Sequence, residues 1–381
     1  MRLTWGAFYV GLFLYRCIFS VLGQTVVLRL TSIPDTTGYQ ATTLSRVSLI
    51  LASHVFDPGY AMQREGQVLI AVLAAGANFA LGGNAILMNI AFQSLAFAGL
   101  VWVLAGLDVR TRAFMAVLIM TPSFSVWSSL VSKEALVVGF VCVAIRYIID
   151  LYLGVRRSIS FHLVVLLPAL TLLFVFKPHF MPAVLFAIGS TWAASITKRP
   201  ATVALFGSMV SLGCLYLFRE QLDSRVRTVY RGIASEPGQS SRGLDFFHDK
   251  FDVFAKAPEG MWRAFVGPTI AEASGGILQM ASFLESMAII VLLTLYVFPR
   301  LRHLPVYMAA IGGTTLFWVL FANYPLGIAN PGTAVRYRTD YLLLVFLATV
   351  VLVSRPRFIA WRQVLGLRSG RVLRPQSAST G

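Results

Sequence analysis

The chain has 381 residues, of which 57% are hydrophobic and 13% charged, and it carries a formal net charge of +16. Soluble domains hold about 45–50% apolar and about 25% charged residues, so this composition excludes a water-soluble globular fold. The positive charge does not point to nucleic acid, because much of the excess sits in short clusters at the ends of apolar blocks, the bias that orients membrane helices.

Arg2 precedes an apolar run over 6–28, and no small-residue cleavage site closes it, so an uncleaved first span is expected. Further basic clusters stand at Arg110 and Arg112, Arg156 and Arg157, Lys198 and Arg199, Arg300 and Arg302, and in the tail from Arg355 onward. The positive-inside rule places all of them in the cytoplasm. If 67–81 and 84–107 both crossed, Arg110 would lie outside. The first block is shorter and rich in Ala and Gly, so it is expected to lie flat on the outer interface or to be re-entrant.

The expectation is therefore an all-α polytopic transmembrane bundle of about ten spans, roughly 6–28, 84–107, 112–128, 134–154, 161–177, 180–196, 201–218, 278–298, 304–322 and 339–354. Both termini fall in the cytoplasm of a bacterial inner membrane. Residues 1–354 form one transmembrane domain, with outer loops 30–83, 129–133, 177–179, 219–277 and 323–338, the first and fourth carrying interfacial helices. The tail, 355–381, is basic and too polar to bury a core, and is expected to lie disordered against anionic lipid. Cys17, Cys142 and Cys214 sit singly in apolar blocks, without the spacing of a disulfide framework or a zinc site.

The residues able to carry chemistry lie in the outer loops. The first holds Asp35 and Tyr39 in Pro34-Asp-Thr-Thr-Gly-Tyr39. A carboxylate there suits a general base acting on a sugar hydroxyl, and equally suits a turn or helix cap. Arg16, inside the first span, either lines the interior or snorkels. The second loop brings Pro122, Trp127, Ser132, Lys133 and Glu134, which read as a helix break, an interface aromatic and a capped helix start. Ionisable groups at that depth also favour a polar cavity.

In the long loop, Arg219, Asp223, Arg227 and Arg231 recur every four residues and share a helix face. They form either intrahelical ion pairs or an anion grip in which Arg227 and Arg231 bind substrate. The stretch 245–254 alternates charge with aromatics as an amphipathic interfacial helix does, with His248 a surface residue. The last loop presents Arg336 and Arg338, on the side where arginines are disfavoured, with Asp340 four residues after Arg336 and expected to pair with it. Two guanidinium groups there suit either lipid phosphate or a pyrophosphate leaving group. No Walker loop, dinucleotide fingerprint, HExxH or nucleophile elbow occurs, so neither ATP-driven transport nor serine hydrolysis is supported.

Asp35 with Tyr39, the Pro122-Ser and Trp127-Ser-Ser followed by Lys133-Glu134, the large late loop and the final Arg336-Tyr-Arg338 together resemble polytopic proteins of bacterial surface-polysaccharide clusters. More distantly they resemble C-type membrane glycosyltransferases that use polyprenyl-phosphate sugars. The resemblance implies a lipid-linked donor entering sideways from the bilayer and catalysis at the outer face. By that analogy Asp35 is the base, Lys133 or Glu134 a second-loop site residue, and Arg336 or Arg338 the phosphate contacts; the expected site is then Asp35 and Glu134 as catalytic residues with Tyr39, Trp127, Lys133, Arg227, Arg231, Arg336 and Arg338 binding substrate. Two departures stand out: the paired acidic residues of that family's first loop are missing, and Lys-Glu stands where an Asp is more usual. The expected partners are membrane lipid, a polyprenyl-linked glycan and other polysaccharide assembly proteins. No cofactor or nucleic acid is expected, and a divalent metal is left open. A flippase of lipid-linked glycans and a non-catalytic scaffold are the competing readings. The former calls for mid-span charges, of which Arg16, Arg146, Asp150 and Glu285 are the few present.

Overall fold

The computed structural model describes residues 5–30, 34–48, 61–155, 157–197, 199–234, 242, 246–302 and 304–351. The basic tail, Arg156 and Lys198 lie outside the described residues, as does the side chain of Asp35. Among the described residues the chain is helical, without strands.

The first helix, α1 (Trp5–Leu22), continues through a π turn to Leu30. It is followed by α2 (Pro34–Gln40), α3 (Ala61–Ala80), α4 (Ala85–Ala105), α5 (Val109–Ile119) and α6 (Pro122–Trp127). The central part comprises α7 (Lys133–Tyr152), α8 (Ile159–Phe176), α9 (Met181–Thr197) and α10 (Pro200–Leu217). A loop region follows with α11 (Arg219–Ala234) and α12 (Ala257–Val266), then α13 (Ile277–Leu301), α14 (Val306–Ile328) and α15 (Pro331–Phe346), which runs on to Val351.

Seven of these segments are long and apolar enough to cross a membrane: Trp5–Val27, Ala85–Ala105, Lys133–Tyr152, Ile159–Phe176, Pro200–Leu217, Ile277–Leu301 and Val306–Ile328. The chain is a multi-pass membrane protein. The block read as 112–128 is not one helix, because α5 stops at Ile119 and Pro122 opens a separate short helix; proline supplies no amide to continue the ladder. The segment read as 180–196 is a helix of 17 residues. The last block starts earlier than 339, with Asn330 capping Gly332 and Thr333 and Pro331 in the first turn, so Arg336, Arg338 and Asp340 are helical and not in a loop.

The core forms around α7, whose apolar window is 72% buried against 11% for the peripheral α10. Its partner is α4. A Cβ placed on Gly99 would lie 2.9 Å from Cys142 Cβ and 3.1 Å from Gly139 Cα, so two glycines let these backbones meet, as small residues do between membrane helices.

Side-chain contacts mark one end of the bundle. Asn89, near the start of α4, donates to Ser20 O near the end of α1. Helix α3 meets that same end twice. Gly66 packs against Val175 O at the end of α8, while Asn78 donates to Gln40 O and Thr42 O beside α2. It therefore lies across the end of the bundle and does not run through it. Residues 246–276 cap that end too, with Gly260 of α12 beneath the Tyr324 ring of α14 and Tyr324 OH donating to Val253 O. At the opposite end Asp150 holds both Arg146 and Arg157, and Arg112 lies over Trp5.

The cap has its own charged clasps. Asp252 accepts Asp249 N and Lys256 Nζ as well as His248 N, which together hold its carboxyl down at about 2. At Glu272 partial burial opposes ionisation, but Arg242 and the Thr269 amide outweigh it and hold the carboxyl at about 2. An unfolded Glu titrates near ~4.3, so this folded-state depression stabilises the segment above that pH and is lost as pH falls toward 2. With solvent access discounted, the effect is of the order of 1 kcal/mol. The protection factors of the amides of residues 267–273, corrected for the intrinsic pH dependence of exchange, are expected to fall in the wild type between about pH 4.5 and 2. The Glu272→Gln chain, which has no carboxylate to protonate, should be less protected at pH 6 and show a flatter profile. A wild-type profile as flat as that of the variant would refute the assignment.

Candidate functional site

The marked end of the bundle gathers charged residues from helices far apart in sequence. Ser132 caps α7 by accepting from Ala135 N and places Lys133 and Glu134 in its first turn. Glu134 is 1% exposed. A carboxylate cannot stay ionised at that depth unpaired. The guanidinium of Arg336 supplies the match through two parallel bonds, Nε to Oε1 at 2.9 Å and Nη2 to Oε2 at 3.1 Å. Lys177, where α8 ends and Pro178 turns the chain toward α9, places Nζ 3.8 Å from Glu134 Oε1 and 2.8 Å from Asp340 Oδ2. The same ammonium lies 3.9 Å from the centre of the Tyr337 ring, and Arg336 lies 5.5 Å from that of Trp127.

A second pair lies alongside. Arg338, 1% exposed, donates from Nη2 to Glu285 Oε1 at 3.1 Å, and from Nη1 to Ser286 Oγ and Phe265 O. Glu285 also accepts Ser123 N at 2.8 Å and the Ser123 hydroxyl, so an acid from α13 closes the start of α6, where exposed amides favour a negative charge. Glu134, Glu285 and Asp340 are thus balanced by Lys177, Arg336 and Arg338.

The stretch between α6 and α7 is not helical, and side chains of α1 and α4 satisfy its backbone. The fully buried Arg16 donates from Nη2 to Ser128 O at 2.8 Å and from Nε to Gln93 Oε1 at 3.1 Å. Ser20 donates to Ser129 O, and Asn89 Oδ1 accepts Val131 N at 2.9 Å and Gln40 Nε2 at 3.1 Å. Arg16 therefore lines the interior and does not snorkel.

Of the residues the sequence singled out, Trp127, Glu134 and Arg336 come together, Lys133 sits half-buried in the same turn of α7 as Glu134, and Arg338 joins the adjoining pair. The expected pairing of Arg336 with Asp340 does not form, since Arg336 turns to Glu134 and Asp340 to Lys177. Tyr39 ends α2 at the edge of the main core. Asp35 is placed in α2 by its backbone, its side chain lying outside the described residues. Arg227 and Arg231 belong to the cap, where Arg227 binds Asp223, which also accepts Phe251 N, and Arg231 is exposed. Lys177, Glu285, Ser123 and Ser286 were not picked out as site residues. Lys177 carried a signal, a lone cation closing an apolar run, and Glu285 was visible only as one acid inside another. Among the described residues no cluster of His, Cys, Asp and Glu has metal-binding geometry.

No family model, no curated protein and no solved structure matches this chain.

Removing one partner of a buried pair strands the other, at a cost of about 3–5 kcal/mol. Arg338→Met and Glu285→Leu should therefore each lower thermal stability in detergent steeply. The double change Arg338→Met with Glu285→Leu should recover most of the loss by leaving no orphaned charge. Additive losses in that cycle would show that the two residues do not depend on each other.

Proposed function

We propose that this chain is an enzyme of a bacterial inner membrane that transfers or polymerises glycan from a polyprenyl phosphate or pyrophosphate carrier on the non-cytoplasmic face. The supporting observation is that Trp127, Glu134, Lys177 and Arg336, drawn from four separate segments, meet at one end of the bundle. Arg336 is suited to grip a phosphate group and Trp127 to stack on a sugar face. Lys133 adds positive charge at the same mouth, and Asp35 in α2 is the candidate base. Arg338 is enclosed, and its role in this reading is to hold α6, α13 and α15 in register.

The same reading sets the topology. The seven apolar helices are joined by the α5–α6 pair, α9 and α15 to make about ten passages, with both termini in the cytoplasm. A reporter active only in the cytoplasm, fused at the C-terminus, should be active, and one inserted near 240 silent; the reverse pattern would invert the assignment of faces.

The function is tested in a host lacking the gene, complemented with wild type, Arg336→Ala or Asp35→Ala, by mass spectrometry of lipid-linked glycans beside mature surface polysaccharide. The expected outcome for Arg336→Ala is accumulation of undecorated or single-unit lipid intermediates with the protein still in the membrane. Loss of the same step in Asp35→Ala marks a base-dependent transferase, and its persistence marks a polymerase relying on arginine. A profile altered by deletion but unchanged by either substitution would refute the enzymatic reading in favour of transport or scaffolding.

A further inference from the structure

The pairing of Arg336 has a feature that the reading above does not use. Of the three bases in the buried pairs, only Arg336 reaches outward: its side chain is 18% exposed, against 6% for Lys177 and 1% for Arg338. Of these three bases, Arg336 is the one an anion arriving at this end of the bundle can reach. Yet the fork that matches two phosphate oxygens is already closed on two carboxylate oxygens, at 2.9 and 3.1 Å. Beneath it Lys177 Nζ stands 3.8 Å from the same carboxylate, longer than its 2.8 Å contact to Asp340. An ammonium has three donors, so Lys177 is able to accept a second carboxylate by a movement of about 1 Å.

We propose that Glu134 is the resting occupant of the anion seat on Arg336, and that a phosphate or pyrophosphate group takes the seat by displacing Glu134 onto Lys177. The proposal rests on the phosphate-carrier reading and adds how its site is regulated: the seat is closed by the protein's own carboxylate until a ligand competes for it. The swap breaks no covalent bond and keeps a cation within reach of Glu134, with Lys177 then shared between Glu134 and Asp340. It also accounts for the depth of Glu134, which at 1% exposure is a poor first contact for a ligand but well placed to hold Arg336 from below.

A seat that its own carboxylate fills most of the time loses affinity by the fraction of time it is closed. Glu134→Gln keeps the shape and removes the charge. The purified full chain in nanodiscs is titrated with farnesyl pyrophosphate, with inorganic pyrophosphate and with farnesol. Glu134→Gln is expected to bind farnesyl pyrophosphate at least about tenfold more tightly than the wild type, and the double change Glu134→Gln with Arg336→Gln, which strands no buried charge, to lose that binding. Equal gains for inorganic pyrophosphate would support displacement by any such anion, and a gain confined to farnesyl pyrophosphate would support displacement by a lipid-borne one. Binding that depends on Arg336 but is unchanged or weakened in Glu134→Gln overturns the displacement and leaves the carrier reading standing. Absence of pyrophosphate binding in wild type and variant alike overturns the seat itself. Should Glu134→Gln fail to fold, infrared difference spectra of the wild type decide: farnesyl pyrophosphate should shift the carboxylate bands at pH 7, and unchanged bands would overturn the proposal.

Discussion

The structure depends on one electrostatic constraint, a carboxylate placed where almost no water reaches it. Glu134 is 1% exposed in the first turn of α7, the most deeply buried span. Charges at that depth persist only when matched and hydrogen-bonded. The match comes from Arg336, 202 residues away in sequence, and from Lys177 at the end of α8. One acid thereby fixes the roll of α15, through the direction of its arginine, and the height of the α8–α9 turn, through its lysine. Asp340 and Tyr337, on the same helix as Arg336, then both contact Lys177.

A second constraint is the rule that backbone left unhelical inside a membrane bundle must find partners. Ser128 to Val131 obey it by borrowing Arg16 and Ser20 from α1 and Asn89 from α4. The two constraints meet, because this pinned stretch carries Trp127 at one side and Lys133 and Glu134 at the other. Glu285 secures the far side of α6 by accepting Ser123 N. The group beside Arg336 is thus held by α1, α4, α13 and α15 together, and its geometry does not hang on a free loop.

Much of this was legible in the sequence, for identifiable reasons. Apolar runs of membrane length give seven of the ten expected spans as helices long and apolar enough to cross, and the cap of α7 was readable from Ser132 with Glu134 in the first turn. Charged residues in apolar surroundings marked Glu134 and Arg336, because water-free sites tolerate ionisable groups only for a reason. Their pairing was not legible. Spacing of four favours Asp340 for Arg336, but Asp340 and Glu134 are both buried and each needs a cation. Lys177, from the end of α8, takes Asp340 at 2.8 Å, and Arg336 goes to Glu134. The break at Pro122 was visible as a proline, yet the apolar length around it outweighed the signal and produced one span where α5 and α6 are separate. Glu285 was beyond reach, since one acid in an apolar run does not name its partner until α13, α6 and α15 are brought together.

The balance of charge at this end bears on what kind of ligand suits it. With Glu134, Glu285 and Asp340 set against Lys177, Arg336 and Arg338, the buried pairs cancel and, Lys133 apart, exert little long-range pull on a dissolved anion; steering of that kind needs an excess of one sign. A carrier confined to the bilayer does not need it. Its headgroup is held at the membrane surface at an effective concentration far above that of a free solute, so a modest affinity at Arg336 suffices for occupancy. On the proposed reading, a self-paired group of this kind suits a phosphate delivered on a lipid chain better than a free one, and the pairing that holds Arg336 on Glu134 is what discriminates between those two sources.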